Sequence, residues 1–474
     1  MTEEQDNHVQ QEINRAINFL GQNKFLEAEN TCLKIIDSGD NADAYHILSS
    51  IKIYQQEFED SIRYAKKSIA INDENPGYHV TLGCAYSAKK DYECSVAAFK
   101  NAIKINNKIA QVHFYLGESY RKLKKYNDAI SSFYETTELS PDHVGAYLLL
   151  GVVYQEKKQF DLSIEAFQKC IEIMPDYAEA HLNLGLCYLL IGDYENGWRE
   201  YEWRRKLLKV SNDKLSKEWS GQNLENKTLL VLDEGADGNL VHFIRFIREL
   251  KKDSCRVIVQ CSEEAKTLID NQKWIDEAIA ADDFPEHDFY IPIGSLMNVL
   301  KFNPNHHEQT FPYIEAHTDK ISKNDTDQLN IGLVFETDRN SNAHDDESID
   351  PGLFENIFTE EHNVICLDNY VTNETLPDYC SKHVSYSNLQ ELSEVINELD
   401  LIITVDHLVA HLAGAMNIDT ILMLPCVPNW RWDMNFRETS IWYKSFKLIR
   451  QQTPGDWSLV MTKLSNHISG LKHG

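Results

Sequence analysis

The chain has 474 residues, 42% of them hydrophobic, 25% charged, with a net charge of −28 and an isoelectric point near 5.0. That length gives two or three domains a core each, and the acidic balance, with no long Lys/Arg run, excludes a surface built to hold nucleic acid or an anionic membrane. The amino terminus, Met1-Thr2-Glu3-Glu4-Gln5-Asp6, lacks the basic and then apolar pattern of a secretory signal, and no apolar stretch is long enough to span a bilayer. A cytoplasmic protein is expected. Ten cysteines are scattered with no C-x-x-C pair, so they read as reduced, mostly buried thiols rather than a disulfide framework or a zinc knuckle.

Gly83, Gly117, Gly151 and Gly185 lie 34 residues apart, each preceded by leucine and followed three positions on by tyrosine, with Phe99, Phe133 and Phe167 and then Pro141 and Pro175 at fixed offsets. Glycine at such a place lets one helix approach the next, aromatic side chains fill the space between stacked units, and proline stops the second helix. Two weaker units precede them, around Tyr45-Leu48…Phe58…Ile62 and Ala16-Leu20…Phe25…Ala28. This pattern resembles the tetratricopeptide repeat, and about six helix-turn-helix units between residues 9 and 211 are expected to form an α-solenoid.

After Tyr188 the pattern shifts to an aromatic and charged capping helix containing Gly197-Trp198-Arg199-Glu200-Tyr201-Glu202-Trp203-Arg204. A polar segment from Ser211 to Asn226 follows, and then short apolar strands alternate with amphipathic helices, which is an α/β signature. Strands are expected at 228–232, 256–260, 278–280 and 289–291, with helices from Leu240 to Lys251 and from Glu263 to Asn271. An acidic bridge from Asp319 to Gln328 separates a second series. Its strands are expected at 331–335, 364–367, 401–405 and 420–424, and its helices at 351–358, 389–399 and 407–416.

The segment Leu401-Ile402-Ile403-Thr404-Val405-Asp406-His407-Leu408-Val409-Ala410-His411-Leu412-Ala413-Gly414-Ala415 resembles the donor-side motif of glycosyltransferase family nine, the heptosyltransferase-like group. The Trp198…Trp203-Arg204 cap, Leu424-Pro425…Trp430-Arg431-Trp432, and Arg437…Trp442-Tyr443…Asp456-Trp457 agree with its members that carry tetratricopeptide repeats. The resemblance implies an α + α/β chain: the repeat array at 9–211, an acceptor-side lobe at 226–320 and a donor-side lobe at 328–474. The two Rossmann-type lobes would form a GT-B pair. It also implies a bacterial transferase that takes a nucleotide-sugar as substrate and needs neither metal nor cofactor.

Asp406, between a strand and a helix, is either a hinge of the donor site or only a helix cap, since backbone N–H groups at a helix start serve both roles. The resemblance places His407, His411, Arg431 and Arg437 with it on the donor side. In the acceptor lobe the family's loop E-Q-G-x-G-D ends on the expected general base, and here Gly238-Asn239 stands where Gly-Asp belongs. An amide positions a hydroxyl but accepts no proton at neutral pH, so Asp237 or Glu234 would have to substitute in a reshaped loop with Gly235. Ala236 replaces a glycine, Phe335-Glu336-Thr337-Asp338 replaces a Trp-x-Gly-like turn, Glu347 beside Asp345 and Asp346 stands where relatives use arginine, and His407 replaces a threonine.

The i, i+4 pair His407 and His411 lacks a visible third ligand, and no metal is expected. His306-His307-Glu308 reads as a solvated turn. On the repeats, Val80 and Cys84, Phe114 and Glu118, and Leu148 and Val152 occupy inner-face positions. They form no lysine–asparagine clamp for a peptide carboxylate, and they suit an extended or helical polypeptide segment or the other half of the chain. Two functions follow: a sugar transferase, or a catalytically degenerate transferase fold serving as a protein-binding scaffold.

Overall fold

The computed structural model describes residues 3–208, 215–235, 237–250, 254–281, 283–307, 309–316, 328–337, 348–368, 371–372, 374–432, 434 and 437–471. Expectations placed on Ala236, Glu308, the bridge 319–327, Asp338, Asp345, Asp346 and Glu347 fall outside these residues. The chain divides into two compact units, residues 1–180 and 181–474.

The first unit is a run of helix pairs: α1 (Glu3–Gly21) with α2 (Phe25–Ser38), α3 (Ala42–Tyr54) with α4 (Phe58–Ile71), α5 (Pro76–Ala88) with α6 (Tyr92–Ile105), α7 (Ala110–Lys122) with α8 (Tyr126–Leu139), and α9 (Val144–Glu156) with α10 (Phe160–Ile173). The recurring glycine sits where the helices of a pair cross. A Cβ on Gly83 would lie 2.5 Å from the Phe99 ring, and one on Gly117 would lie 2.6 Å from the Phe133 ring. Those rings are fully buried and merge with Val112, Leu116, Tyr120 and Val153 into a core that runs through successive pairs.

Each turn between paired helices is closed in one way. Gln56, Lys90, Lys124 and Lys158 take left-handed φ of 63°, 66°, 56° and 59°. The next N–H then reaches back to an orphan carbonyl, Asp91 to Tyr86 at 2.8 Å and Lys125 to Tyr120 at 2.9 Å, which is the Schellman closure. Polar ties 35 residues apart link neighbouring pairs: Tyr78 donates to Asp43 at 2.6 Å, and Arg121 pairs with Glu156 at 2.9 Å.

The unit boundary falls inside α11 (Ala178–Ile191), which is followed by α12 (Tyr194–Tyr201) and α13 (Arg204–Leu208). Two sheets follow, both wholly parallel. The first contains β1 (Lys217–Glu218), β2 (Thr228–Leu232), β3 (Arg256–Cys261), β4 (Glu277–Ala280) and β5 (Phe289–Pro292) in the order β1-β5-β2-β3-β4. Between its strands run α14 (Asp237–Phe243), α15 (Ile247–Leu250) and α16 (Glu263–Asp270), and α17 (Leu296–Val299) follows β5.

The second sheet contains β6 (Leu329–Leu333), β7 (His362–Cys366), β8 (Lys382–His383), β9 (Leu401–Thr404), β10 (Thr420–Leu424) and β11 (Phe446–Arg450). Its order is β11-β10-β9-β6-β7-β8, with α18 (Leu389–Asn397), α19 (Leu408–Met416) and α20 (Ser458–Ile468) as its helices. That is the doubly wound order, in which the chain reverses direction across the sheet between the first and fourth strands. Strand interiors read as continuous apolar runs because both faces of a parallel sheet are covered.

The expected helix from Leu240 to Lys251 is instead α14, a 3-10 turn at Ile244–Phe246 and α15. Gly238 and Asn239 lie in the first turn of α14 rather than in a loop. Pro351–Phe354 forms a 3-10 turn instead of a longer helix, since Gly352 weakens its first turn. Several elements, α17 and β8 among them, have no counterpart in the sequence reading. Strand β1 and buried Trp219 lie in the segment read as a polar linker, and β11 and α20 close the second sheet. A two-residue edge strand carries no periodicity to read, and β11 is recognisable only from its five-residue register with β10. Among the described residues, no helix is long and apolar enough to cross a membrane.

Candidate functional site

In doubly wound sheets, ligands sit beyond the carboxyl ends of the strands at the point where strand order reverses. In the first sheet that point lies between β2 and β5. The residues leaving β2 are Asp233, Glu234 and Gly235, and those leaving β5 are Ile293, Gly294 and Ser295. Glu234 crosses the gap: its carboxylate accepts from the Gly294 N–H at 2.9 Å and pairs with the Arg204 guanidinium at 3.0 Å. Arg204 also donates to the Ser295 hydroxyl at 3.0 Å and reaches Glu202 at 3.2 Å. Both side chains of the Arg204–Glu234 pair are under a tenth exposed, so Glu234 serves as an internal ion-pair partner.

Asp233 turns back on its own loop. Its Oδ1 accepts from the Glu234 N–H at 2.8 Å, and the Gly235 N–H is a further partner. Burial pushes its carboxyl up to about 6, with the Asp237 charge adding to the rise and these N–H groups opposing it. Asp237, the first residue of α14, accepts from the Ser262 hydroxyl at 2.9 Å.

The reversal point of the second sheet lies between β6 and β9 and is occupied in a similar way. Asp368, beyond β7 and 1% exposed, accepts from the N–H groups of Phe335 at 2.9 Å and Glu336 at 3.3 Å. Burial pushes its carboxyl up to about 6 against those N–H groups and the nearby His407. The next N–H, that of Thr337, donates to the Ser348 hydroxyl at 3.1 Å. At the start of α19 the capping residue is His407 rather than Asp406: its Nδ1 accepts from the Val409 N–H at 3.2 Å with extended backbone, which leaves Asp406 one position outside the helix. The ring of His411, one turn along the helix, faces Tyr443.

The two sheets bring their candidate residues together where α14 meets α19. Arg431, buried and lying over the Trp430 ring at 4.4 Å, donates to the Asn239 Oδ1, so Asn239 is oriented as an acceptor toward the guanidinium. A Cβ on Gly238 would lie 3.2 Å from the His411 ring. His411 Nε2 stands 3.7 Å from the Asp406 carboxylate, and its Nδ1 is 2.9 Å from the Tyr443 hydroxyl, which is also 3.1 Å from His242 Nδ1.

Arg245 donates to His242 Nδ1 at 3.3 Å. With His242 Nδ1 accepting from Arg245, the contacts run in one direction: Tyr443 donates to His242, and His411 Nδ1–H donates to Tyr443. Burial and then the neighbouring guanidinium charges hold both imidazoles well below their usual range, so both are neutral at pH 7.

Gly238, Asn239, Asp406, His411 and Arg431 therefore converge. Glu234 and Gly235 remain at the β2–β5 gap, and exposed Arg437 has no hydrogen bond to the cluster among the described residues. Sequence reading missed Asp233, Asp368, His242, Arg245 and Tyr443. The two aspartates lie one and two residues past the ends of β2 and β7, and that position at the carboxyl edge of a parallel sheet was the available signal; His242 and Arg245 were hidden in what read as an ordinary amphipathic helix.

The first unit offers a second surface. His46, Val80, Phe114 and Leu148 form one row at a spacing of 34, and Ser50, Cys84, Glu118 and Val152 form another one turn along the same helices. Most of these side chains are half-buried, and Leu148 is buried.

A tetratricopeptide repeat family profile matches residues 80–143, and a second TPR repeat profile matches residues 154–192. No curated protein matches the chain. Among solved structures, the chain is similar to MamA, with 23% identity over 34% of this chain and 97% of that one and a TM-score of 0.33. It is also similar to YrrB, described as a TPR protein with an unusual peptide-binding site, with 22% identity, 36% and 88% coverage and a TM-score of 0.33. For pilF of Pseudomonas aeruginosa the values are 15%, 44%, 94% and 0.40. The N-terminal region of the chain carries tetratricopeptide repeats.

Proposed function

We propose that the chain is a cytoplasmic protein-binding scaffold in which tetratricopeptide repeats hold a polypeptide and a GT-B-like α/β half has lost its donor site. One observation carries this reading: the groups that would meet a diphosphate at both strand-reversal points are taken by the chain's own side chains. Asp233 holds the N–H groups after β2, Glu234 and Arg204 close the β2–β5 gap, and Asp368 holds those after β6. A bound phosphate needs free N–H donors or cations, and here it would meet fixed carboxylates instead. Thermal-shift titration with nucleoside diphosphates and nucleotide-sugars tests this. A ligand at a hundred times its Kd stabilises by about 2.7 kcal/mol, several degrees in melting point, and no shift is expected.

Sugar transfer is the second reading, favoured by the convergence of Asn239, Arg431, Asp406 and His411. Mass-detected transfer or hydrolysis of a nucleotide-sugar, lost in His411→Gln, would establish it and would overturn the scaffold reading.

A further inference from the structure

We propose that Glu118 anchors a lysine or arginine of the polypeptide held on the inner row of the repeat helices, so that the partner is an apolar segment carrying one cationic side chain. The inference rests on the reading of the array as a polypeptide-binding surface. In the row Ser50, Cys84, Glu118 and Val152, Glu118 is the one charged residue, and the parallel row beside it supplies the half-buried Val80 and Phe114. Among the described residues, no hydrogen bond or ion pair within 4 Å reaches the Glu118 carboxylate.

The cations nearest in sequence leave it unpaired. Arg121, one turn along α7, gives Nε and Nη2 to Glu156 at 3.1 and 2.9 Å, and Lys122, also one turn along on the same helix face, is exposed and makes no ion pair with Glu118 within 4 Å, although its charge is felt there. Burial raises the Glu118 carboxyl above its ordinary value despite both cations, so a carboxylate is held at a partly desolvated spot without a partner. Cys84 beside it is pushed up to about 11 by burial and by the Glu118 charge, and remains a neutral wall. A carboxylate in such a setting gains most from a charge-assisted hydrogen bond, and the apolar rows accept the flanking side chains. Acidic residues outnumber basic ones in residues 1–180, which favours a cationic segment over an acidic one.

The test uses the full chain and synthetic nine-residue pools of randomised apolar positions around one central residue fixed as lysine, arginine, norleucine or glutamate. Lysine and arginine pools are expected to bind at least ten-fold tighter than the norleucine pool. Glu118→Gln should erase that preference by weakening binding of the lysine and arginine pools, and Glu118→Lys should turn it toward the glutamate pool. Equal binding of lysine and norleucine pools, or a preference that survives Glu118→Gln, overturns the anchor while the polypeptide-binding reading stands. No binding by any pool at millimolar concentration overturns that reading as well. A concentration-dependent dimer abolished by Glu118→Gln assigns the row to a second copy of the chain and also overturns the proposal.

Discussion

At Gly117, helix propensity and packing pull in opposite directions. Alanine would gain about 1 kcal/mol of propensity over glycine in a helix interior, yet its Cβ would meet the buried Phe133 ring at 2.6 Å. Overpacking of this kind costs about 1–3 kcal/mol, so Gly117→Ala is expected to lower stability by about 1 kcal/mol net in denaturant unfolding. The clash should vanish in a Gly117→Ala/Phe133→Leu pair, whose measured coupling checks the cause. Glu234 makes a sharper case. A catalytic carboxylate waiting in a loop can be replaced without loss of stability, whereas this one neutralises buried Arg204. Glu234→Gln is expected to destabilise by about 3 kcal/mol, softened by the remaining Glu202 contact, and an unchanged melting point would show that the ion pair is not structural.

At the scale of the element, the repeat is defined as much by its turn as by its helices. Lys124 holds φ of 56°, a region that costs a side-chain-bearing residue about 1 kcal/mol, and the same place in the next turn but one is taken by Gly192 at φ 89°. Lys124→Gly is therefore expected to raise stability by about 0.5 kcal/mol, less than the full strain because glycine also loosens the unfolded chain; calorimetric melting reads the sign. The helices and their 34-residue spacing were legible from Gly83 onward, because each unit buries the same face against its neighbour. The turn residues were not, since lysine at a left-handed position carries no compositional mark. Strands of the α/β half were legible where both faces are buried, as in β2 and β10, and illegible where one strand is an edge of two residues, as in β1 and β8.

Across the whole molecule, buried titratable groups set a dependence on pH. His242 and His411 are neutral in the folded chain and bind protons below 6.5 when it unfolds, so stability present above that pH is lost as pH falls. Each costs about 1.4 kcal/mol per pH unit. Asp233 and Asp368, raised to about 6, act oppositely: their contribution is absent at pH 7 and grows as pH falls through 6 toward the unfolded value of 3.8. The two effects overlap between pH 7 and 6, where each histidine loses about 0.7 kcal/mol and each carboxyl returns about half of that. Stability is expected to fall by about 0.6 kcal/mol over that interval and to level toward pH 5, and His411→Gln should remove most of the fall, read as melting point against pH.

The sequence by itself determined the repeat array, because a period of 34 sets glycine against phenylalanine in the three pairs from α5 to α10, and it determined the alternation of apolar strands and helices behind that array. Only the tertiary structure decided what the strand ends do. Whether Glu234 and Asp368 face solvent, a ligand or the chain's own backbone depends on which loops lie beside them in the sheet. Those neighbours, Gly294 across from Glu234 and Phe335 across from Asp368, are 60 and 33 residues distant along the chain. Local pattern records which residues a segment offers, and contacts between distant segments decide which of those groups remain free for a partner.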